Sequence, residues 1–148
     1  MVVREVDYEK VKKTLTTLSS SSIFSEMFEH IKWNRSKAAY GKEDGFSNRF
    51  KELLLEIDEA KIDLDAGNLE QFADEIGDSL WDLMFLLVLL EEKGISLESV
   101  LRGRIEKQVR RGPQIYEPQE EVTCAEELEI WNVAKKKEKS GEIKGLGF

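Results

Sequence analysis

Apolar residues recur every three or four positions through most of this chain, which is the spacing that places them on one face of an α-helix. The pattern predicts six helices, over residues 4–18, 22–34, 47–65, 69–93, 96–111 and 123–139. Residues 35–46 hold two glycines and few apolar positions, so we expect a loop there. Alternation of apolar and polar residues, the pattern of a β-strand, is not sustained over any useful length. We therefore expect an all-α fold.

The two central helices are separated by Ala66, Gly67 and Asn68, and they should form an antiparallel hairpin with Gly67 in a left-handed turn. The first arm lacks glycine and proline, and its predicted apolar face contains Leu53, Leu54, Ile57, Ala60 and Leu64. The second arm ends in the apolar run 83–90, which predicts either deep burial or a subunit interface. We expect a helical bundle built on this hairpin, with additional flanking helices.

Two helix starts carry residues that suit a cap. Ser96 can cap the fifth helix, and Thr123 with Glu126 three residues later has the form of a capping box. A chain of 148 residues is long enough for one domain with a core of its own. We therefore expect a single domain over 1–148, with 1–21 as an N-terminal extension and 140–148 as a flexible tail.

Composition narrows the class of protein. Apolar residues make up 41% and charged residues 35%, which is typical of a globular chain rather than a disordered one. The net charge of −8 argues against binding to a nucleic acid polymer or to an anionic membrane. The longest apolar run is too short to span a bilayer, and the first residues lack the apolar segment of a secretory signal. Cys124 has no second cysteine to pair with, so a cytoplasmic location is expected.

Acidic residues are placed symmetrically about the hairpin turn. In an antiparallel pair of helices, residues equally far from the turn lie at the same height, so Glu56 should face Asp78 and Glu59 should face Glu75. Residues three or four apart share a helix face, so these four carboxylates should form one cluster. Glu52 and Asp82 are also equidistant from Gly67 and would add a third acidic layer.

Such a cluster has two interpretations. The acids either form a solvated face that points away from the seam, or they hold cations, because unpaired charge between packed helices is strongly unfavourable. An all-carboxylate site suits Mg²⁺ or Mn²⁺, whereas a di-iron site would need Glu-x-x-His pairs, and His30 lies outside both motifs. Mg²⁺ binds few carboxylates and completes its shell with water and phosphate. A surplus of acids therefore suggests more than one metal, a phosphate-bearing ligand and metal-assisted phosphoanhydride hydrolysis.

Cationic and aromatic residues nearer the C-terminus fit such a ligand. Arg104, Lys107 and Arg111 share one face of the fifth helix, where they could bind phosphate oxygens. Trp131 and Lys135 are four residues apart on the last helix, and they could hold a base together with a phosphate or sugar. The alternatives are a basic stripe that pairs with the protein's own acidic surface, and a Trp131 that belongs to the core.

These motifs together resemble the MazG-type nucleoside triphosphate pyrophosphohydrolases of the all-α NTP pyrophosphatase superfamily. The family signature, Glu-x-x-Glu followed by Glu-x-x-Asp on the next helix, is matched by 56–59 and 75–78. The segments 31–36 and 107–113, and the Trp-x-x-x-Lys stretch of 131–139, are similar to family segments in the same order. The resemblance covers about 23–140. The sequence departs from the family pattern at Leu55, where a glutamate is usual. It also lacks the histidines found upstream of the first acidic motif and after the Arg110-Arg111 pair.

The resemblance implies that the protein hydrolyses an NTP to NMP and pyrophosphate with Mg²⁺, for which Mn²⁺ could substitute. It also implies a role for each matched residue: the metal ligands and catalytic acids would be Glu56, Glu59, Glu75 and Asp78, and the nucleotide contacts Lys107, Arg111, Trp131 and Lys135. Family members are usually dimers or tetramers, so a homodimer or homotetramer is expected. Two alternatives stay open: a selective pyrophosphatase for dUTP, dCTP or phosphoribosyl-ATP, and a non-catalytic helical interaction module.

Overall fold

The computed structural model describes residues 7–116 and 121–145, and within them it contains only helices, turns and loops. The all-α prediction is therefore confirmed. The described elements, in chain order, are α1 (Tyr8–Thr17), α2 (Ser20–Lys37), α3 (Ala39–Glu43), α4 (Phe46–Asp65), α5 (Leu69–Glu91), α6 (Leu97–Arg111), a 3₁₀ turn (Pro113–Ile115) and α7 (Cys124–Ser140). The predictions for 1–6 and 146–148, at the two ends of the chain, lie outside the described residues.

The chain divides into two compact units, Met1–Leu89 and Leu90–Phe148. The first contains α1 to α4 and nearly all of α5, and the second contains the end of α5 with α6, the 3₁₀ turn and α7. Three helices supply the buried apolar side chains of the first unit, which are Phe28, Ile31, Leu53, Ala60, Met84, Phe85, Val88 and Leu89. In the second unit, α6 packs against α7, where Ala134 is buried. The single domain expected over 1–148 stays a prediction.

The hairpin turn has the predicted geometry. Gly67 has φ of 74°, in the left-handed region that favours glycine. The turn is closed by hydrogen bonds from the amides of Gly67 and Asn68 to the carbonyls of Leu64 and Asp63, at 3.0 and 2.9 Å. The Asn68 side chain in turn accepts from the amide of Gln71 at the start of α5. This local chemistry sends the chain from α4 directly into α5.

Both predicted caps of the second unit are confirmed. Ser96 accepts a hydrogen bond from the Ser99 amide at 3.1 Å. At the start of α7, Thr123 accepts from the amide of Glu126, whose carboxylate accepts from the Thr123 amide at 2.7 Å. Reciprocal bonds of this kind satisfy backbone donors that a helix start leaves unpaired. They therefore define where α6 and α7 begin.

The loop predicted over 35–46 is wrong. Helix α2 continues to Lys37, and the short α3 follows after a single residue. Gly41 does not break structure there: a Cβ at this position would lie 2.3 Å from the Asn34 carbonyl oxygen, so glycine permits the close approach of α3 to α2. Arg35 then donates from Nη1 to the carbonyls of Gly41, Lys42 and Asp44, at 2.8 to 3.0 Å. These bonds satisfy carbonyls at the end of α3 and hold the segment in place.

The apolar face predicted for α4 is only partly correct. Leu53 and Ala60 are buried, but Leu54, Ile57 and Leu64 are each close to half exposed. The buried side of α4 also carries Arg49, which is only 7% exposed. Hydrophobic periodicity assigns arginine to the solvent side of a helix. It therefore predicts the wrong buried face when that face carries a charged residue.

Candidate metal centre

Three of the four predicted ligands come together between the arms of the hairpin. Glu56 projects from α4, and Glu75 and Asp78 project from α5, where their three-residue spacing places them on one helix face. One carboxylate oxygen from each of the three lies within 4.8 Å of the other two. Glu56 and Glu75 are half-buried and Asp78 is exposed, so the cluster opens to solvent at one side. We call these three residues the acidic cluster.

Glu59 lies outside the acidic cluster. It is exposed on α4, one turn beyond Glu56, although its charge still raises the pKa of Glu56. The symmetry of the hairpin pairs Glu59 with Glu75 and Glu56 with Asp78. In the structure, Glu56 interacts with both acids of α5, through a hydrogen bond with Glu75 and through the charge of Asp78. Glu59 is thus placed at the edge of the cluster rather than inside it.

The surroundings of the acidic cluster raise the pKa of Glu56. Burial is the largest cause, followed by the charge of Asp78, the hydrogen bond with Glu75 and the charge of Glu59, and together they raise the pKa of Glu56 from 4.5 to about 7. Burial and like charges both disfavour a carboxylate, and protonation relieves both. A divalent cation would relieve them in the same way, by supplying the missing positive charge.

The donor set fits a hard divalent cation. Three carboxylates offer only oxygen atoms, which Mg²⁺ and Mn²⁺ prefer. Ligands on opposite sides of an ion at about 2.1 Å are about 4.2 Å apart, so oxygens within 4.8 Å of one another need only a small adjustment to share one ion. The open side at Asp78 leaves room for the water and phosphate ligands that Mg²⁺ retains. Among the described residues, this is the group whose oxygens are close enough to share an ion.

The third acidic layer proposed from sequence already contains a cation. Asp82 is 4% exposed, and its Oδ1 accepts a hydrogen bond from Arg49 Nη1 at 2.5 Å. Burial raises the pKa of Asp82 against the opposing effect of Arg49, and the charges of Glu52 and Asp78 add to the rise. Glu52 and Asp82 do therefore interact, as the hairpin symmetry predicts. Asp82, however, is one half of a buried ion pair.

Arg49 is the centre of a polar network that the sequence analysis missed. Its Nε donates to Asp44 Oδ2 at 2.7 Å, its Nη2 bonds the same oxygen, and its guanidinium carbon lies 4.2 Å from the centre of the Phe85 ring. Asp44 Oδ1 accepts from the Gly45 amide and from Asn48 Nδ2, at 2.9 and 2.8 Å. These bonds outweigh burial and lower the pKa of Asp44. The five-residue spacing of Asp44 and Arg49 across a helix start is not a pattern that sequence reasoning would select.

In the second unit, Arg111 lies between two side chains of α7. Its guanidinium carbon is 5.3 Å from the centre of the Trp131 ring, and its Nη2 donates to Glu138 Oε2 at 2.6 Å. Lys107 and Lys135 are exposed, each one helical turn from Arg111 or Trp131 on the same helix. The four predicted nucleotide contacts thus all come from the packed pair α6 and α7. Trp131 is half-buried, so it is neither a core residue nor a free ring.

Glu138 binds a second arginine as well. Arg110 Nε donates to Glu138 Oε1 at 2.8 Å, while its Nη1 bonds Glu106 on its own helix. Hydrogen bonds from Arg111 and then Arg110 lower the pKa of Glu138 from 4.5 to about 2. The carboxylate is therefore a fixed anion that orients two guanidinium groups on α6. Arg104, the remaining cation of the predicted basic face, bonds Gln108 at 2.9 Å.

The fold and the acidic cluster define a class: an all-α protein in which a helical hairpin gathers carboxylates suited to a divalent cation. Residues 46–116 match the model of the MazG nucleotide pyrophosphohydrolase domain. The fold is similar to the crystal structure of a mazG-related protein from Thermotoga maritima, with a TM-score of 0.69 and 26% identity over 76% of this chain and 98% of that one. The predicted resemblance to the MazG-type family is therefore confirmed, and the family model matches the chain over residues 46–116.

Two further comparisons bear on the class. No curated protein matches the chain significantly. None of the helices in the described residues combines the length and the hydropathy that crossing a bilayer would require.

Proposed function

We propose that the protein is a Mg²⁺-dependent nucleoside triphosphate pyrophosphohydrolase, which converts NTP and water to NMP and pyrophosphate. The observation that carries this proposal is the acidic cluster within a MazG-type domain. Glu56, whose pKa is raised to about 7 by burial and by the neighbouring acids, needs either a proton or a nearby cation near neutral pH. A nucleoside triphosphate is a ligand that arrives with the phosphate oxygens Mg²⁺ favours.

Each predicted residue has a role in this proposal. Glu56, Glu75 and Asp78 would hold the metal directly, and Glu59 would join them through water or on substrate binding. The bound metal would supply charge neutralisation at the phosphates and a water of lowered pKa. Glu59 is exposed, so its side chain can change rotamer at little cost. Mn²⁺, with the same preference for oxygen ligands, would substitute for Mg²⁺.

The nucleotide contacts are proposed for the second unit. Arg111, oriented by Glu138, offers a guanidinium edge that matches phosphate oxygens. Lys107 and Lys135 add exposed positive charge, and the Trp131 face not covered by Arg111 offers a surface on which a base could stack. These features bind triphosphate and base without reading a particular base edge. A broad NTP specificity is therefore favoured over selective use of dUTP, dCTP or phosphoribosyl-ATP.

A panel of ribonucleotides and deoxyribonucleotides, assayed with and without Mg²⁺, tests the proposed reaction. NMP and pyrophosphate should appear only with the metal, and on several bases. NDP and phosphate as products would contradict it. A single substrate turned over at least a hundredfold better than the rest would favour the selective alternative. The non-catalytic module predicts no Mg²⁺-dependent product at all and a thermal stability indifferent to Mg²⁺.

The metal assignment has its own test in this assay. Glu59→Gln or Asp78→Asn should abolish pyrophosphate release while the circular dichroism spectrum is retained. Asp58→Asn is the matched control, because Asp58 is exposed on α4 and lies outside the acidic cluster. Full activity in either of the first two variants would show that its carboxylate is not a ligand.

We also propose that the protein is a homo-oligomer, through an exposed apolar stripe on α4. The stripe consists of four residues on one helix face, each between 39% and 54% exposed: Phe46, Phe50, Leu54 and Ile57. A continuous apolar surface of this kind is costly in water and typical of an interface. Leu54→Glu should lower the mass measured by light scattering, whereas Ile62→Glu, on another face of α4, should not. A monomeric wild type would contradict this proposal.

A further inference from the structure

Arg49 places a buried positive charge one layer away from the acidic cluster. Asp82, its partner, lies one helical turn after Asp78, and residues four apart share a helix face. Asp82 therefore extends the row of acids on α5 beyond the acidic cluster. The Arg49 guanidinium lies at the third acidic layer that the hairpin symmetry predicts. Arg49 and Asp82 are 7% and 4% exposed, so neither is a surface group with water as an alternative partner.

The guanidinium is fixed on all sides. Its Nε and Nη2 bond Asp44, its Nη1 donates to Asp82, and its central carbon lies over the ring of Phe85. Asp44 is itself held by the Gly45 amide and by Asn48. Each guanidinium nitrogen already serves a carboxylate and the side chain is buried, so Arg49 acts through its neighbours rather than on a substrate.

We propose that Arg49 is a positioning residue of the metal centre, a built-in cation that neutralises Asp82 and so confines divalent metal to the acidic cluster. The inference rests on the proposed function, since it presupposes a metal at Glu56, Glu75 and Asp78. Without Arg49, Asp82 and Glu52 would be two further carboxylates beside that metal, with no cation between them. Such a pair would take an ion of its own.

Mn²⁺ binding measured by calorimetry on the full chain tests the proposal, with four variants beside the wild type. Arg49→Met removes the charge while keeping much of the side-chain volume, and it should add one Mn²⁺ per chain. Arg49→Met/Asp82→Asn should return the stoichiometry to that of the wild type. Asp82→Asn alone should leave both stoichiometry and Kd unchanged within about threefold. Lys61→Met, which removes an exposed ion pair with Asp65 on the same helix, is the matched control.

Two results would overturn the proposal. If Asp82→Asn weakens Mn²⁺ binding tenfold or more, Asp82 is a ligand and Arg49 does not withhold it from the metal. If Arg49→Met folds and binds the same number of ions as the wild type, the role of Arg49 is structural only. Should Arg49→Met fail to fold, the Mn²⁺ affinity of Asp82→Asn still tests the proposal, because a tenfold loss would make Asp82 a metal ligand. A structural role alone would also leave the Mg²⁺ concentration for half-maximal activity unchanged in Arg49→Met, whereas an added site should shift it at least threefold.

A fifth variant, Glu56→Gln, separates this proposal from the proposed function. A wild type that binds no Mn²⁺ and releases no pyrophosphate contradicts the metal centre itself. A wild type that binds Mn²⁺ in the acidic cluster, with the Glu56→Gln variant losing it, supports the proposed function. The Arg49 and Asp82 variants then test the positioning role by itself.

Discussion

Replacing Glu56 by glutamine should stabilise the metal-free protein, and increasingly so as the pH rises. The reason is the pKa of Glu56, about 7 in the folded chain against an ordinary value of 4.5. Between these values the folded state keeps a proton that the unfolded state has released. Ionisation of Glu56 therefore lowers the stability of the fold as the pH rises from about 4.5 to about 7, and the loss is complete above that range. Glutamine does not titrate, so the variant escapes this loss.

The magnitude follows from the same two pKa values. Their separation corresponds to about 3 kcal/mol of unfolding free energy, lost at a rate of about 1.4 kcal/mol per pH unit. For a chain of this size, 1 kcal/mol shifts Tm by about 2–4 °C. Glu56→Gln should thus melt close to the wild type at pH 5 and roughly 6–12 °C above it at pH 8, when both are stripped of metal.

The assay is thermal unfolding of both proteins in EDTA at several pH values from 5 to 8. The difference in Tm between variant and wild type is the quantity to follow, because the titration of all other groups cancels in it. Asp58→Asn serves as the control and should show a difference that does not change with pH. A Glu56→Gln difference that is equally flat would refute the reasoning, since it would mean that Glu56 is not destabilised by its neighbours.

Adding Mg²⁺ should reverse the order of stability. The metal and the proton compete for Glu56, so below pH 7 the apparent affinity for Mg²⁺ should fall by up to tenfold per pH unit. Wild-type protein should therefore gain more stability from Mg²⁺ at pH 8 than at pH 6, by an amount that grows with the ratio of metal concentration to Kd. Glu56→Gln should gain little at either pH. An equal Mg²⁺ effect at both pH values would argue that the ion binds elsewhere.

Three further outcomes are expected. Asp78→Asn should lower kcat by at least a hundredfold while leaving Tm in EDTA unchanged or higher, measured by pyrophosphate release and calorimetry; retained kcat would remove Asp78 from the metal centre. Trp131→Ala should raise KM for NTP about tenfold, in line with about 1–3 kcal/mol for stacking of one base, and Val133→Ala on the same helix should not. Glu138→Gln should raise KM for NTP severalfold, because Arg111 would no longer be held in place. The pKa of Glu138 is lowered to about 2, so the contribution of the Glu138–Arg111 pair to KM in the wild type should not vary between pH 5 and 8. An unchanged KM in the variant would make the role of Glu138 structural only.

Local chemistry explains why most helices could be predicted. The turn at Gly67, the cap at Ser96 and the capping box at Thr123 each depend on residues within a few positions, so their sequence patterns describe them fully. The segment 35–46 was mispredicted because Gly41 has a tertiary role. It allows α3 to approach Asn34 closely, and no local pattern distinguishes such a glycine from one in a loop.

The symmetry of the hairpin about Gly67 predicts only part of the candidate site. Equal distance from Gly67 pairs Glu56 with Asp78 and Glu59 with Glu75, whereas the structure brings together oxygens of Glu56, Glu75 and Asp78 within 4.8 Å and leaves Glu59 outside. The same symmetry treats Asp82 as another free acid. It cannot show that Arg49 turns inward, because a helix position only fixes a direction, and what lies in that direction depends on the neighbouring helix.

The sequence by itself determined that this protein is all-α, where its hairpin turns, and that acids of the two arms face each other, because helix period and turn chemistry are short-range properties. Only the tertiary structure decided which side of α4 is buried, since there Arg49 and Glu56 lie on the inner side and Leu54 and Ile57 are exposed. It also decided that a guanidinium occupies the third acidic layer and that Glu138 holds Arg111. These contacts join residues 27 to 33 positions apart, and their geometry is set by how the helices pack.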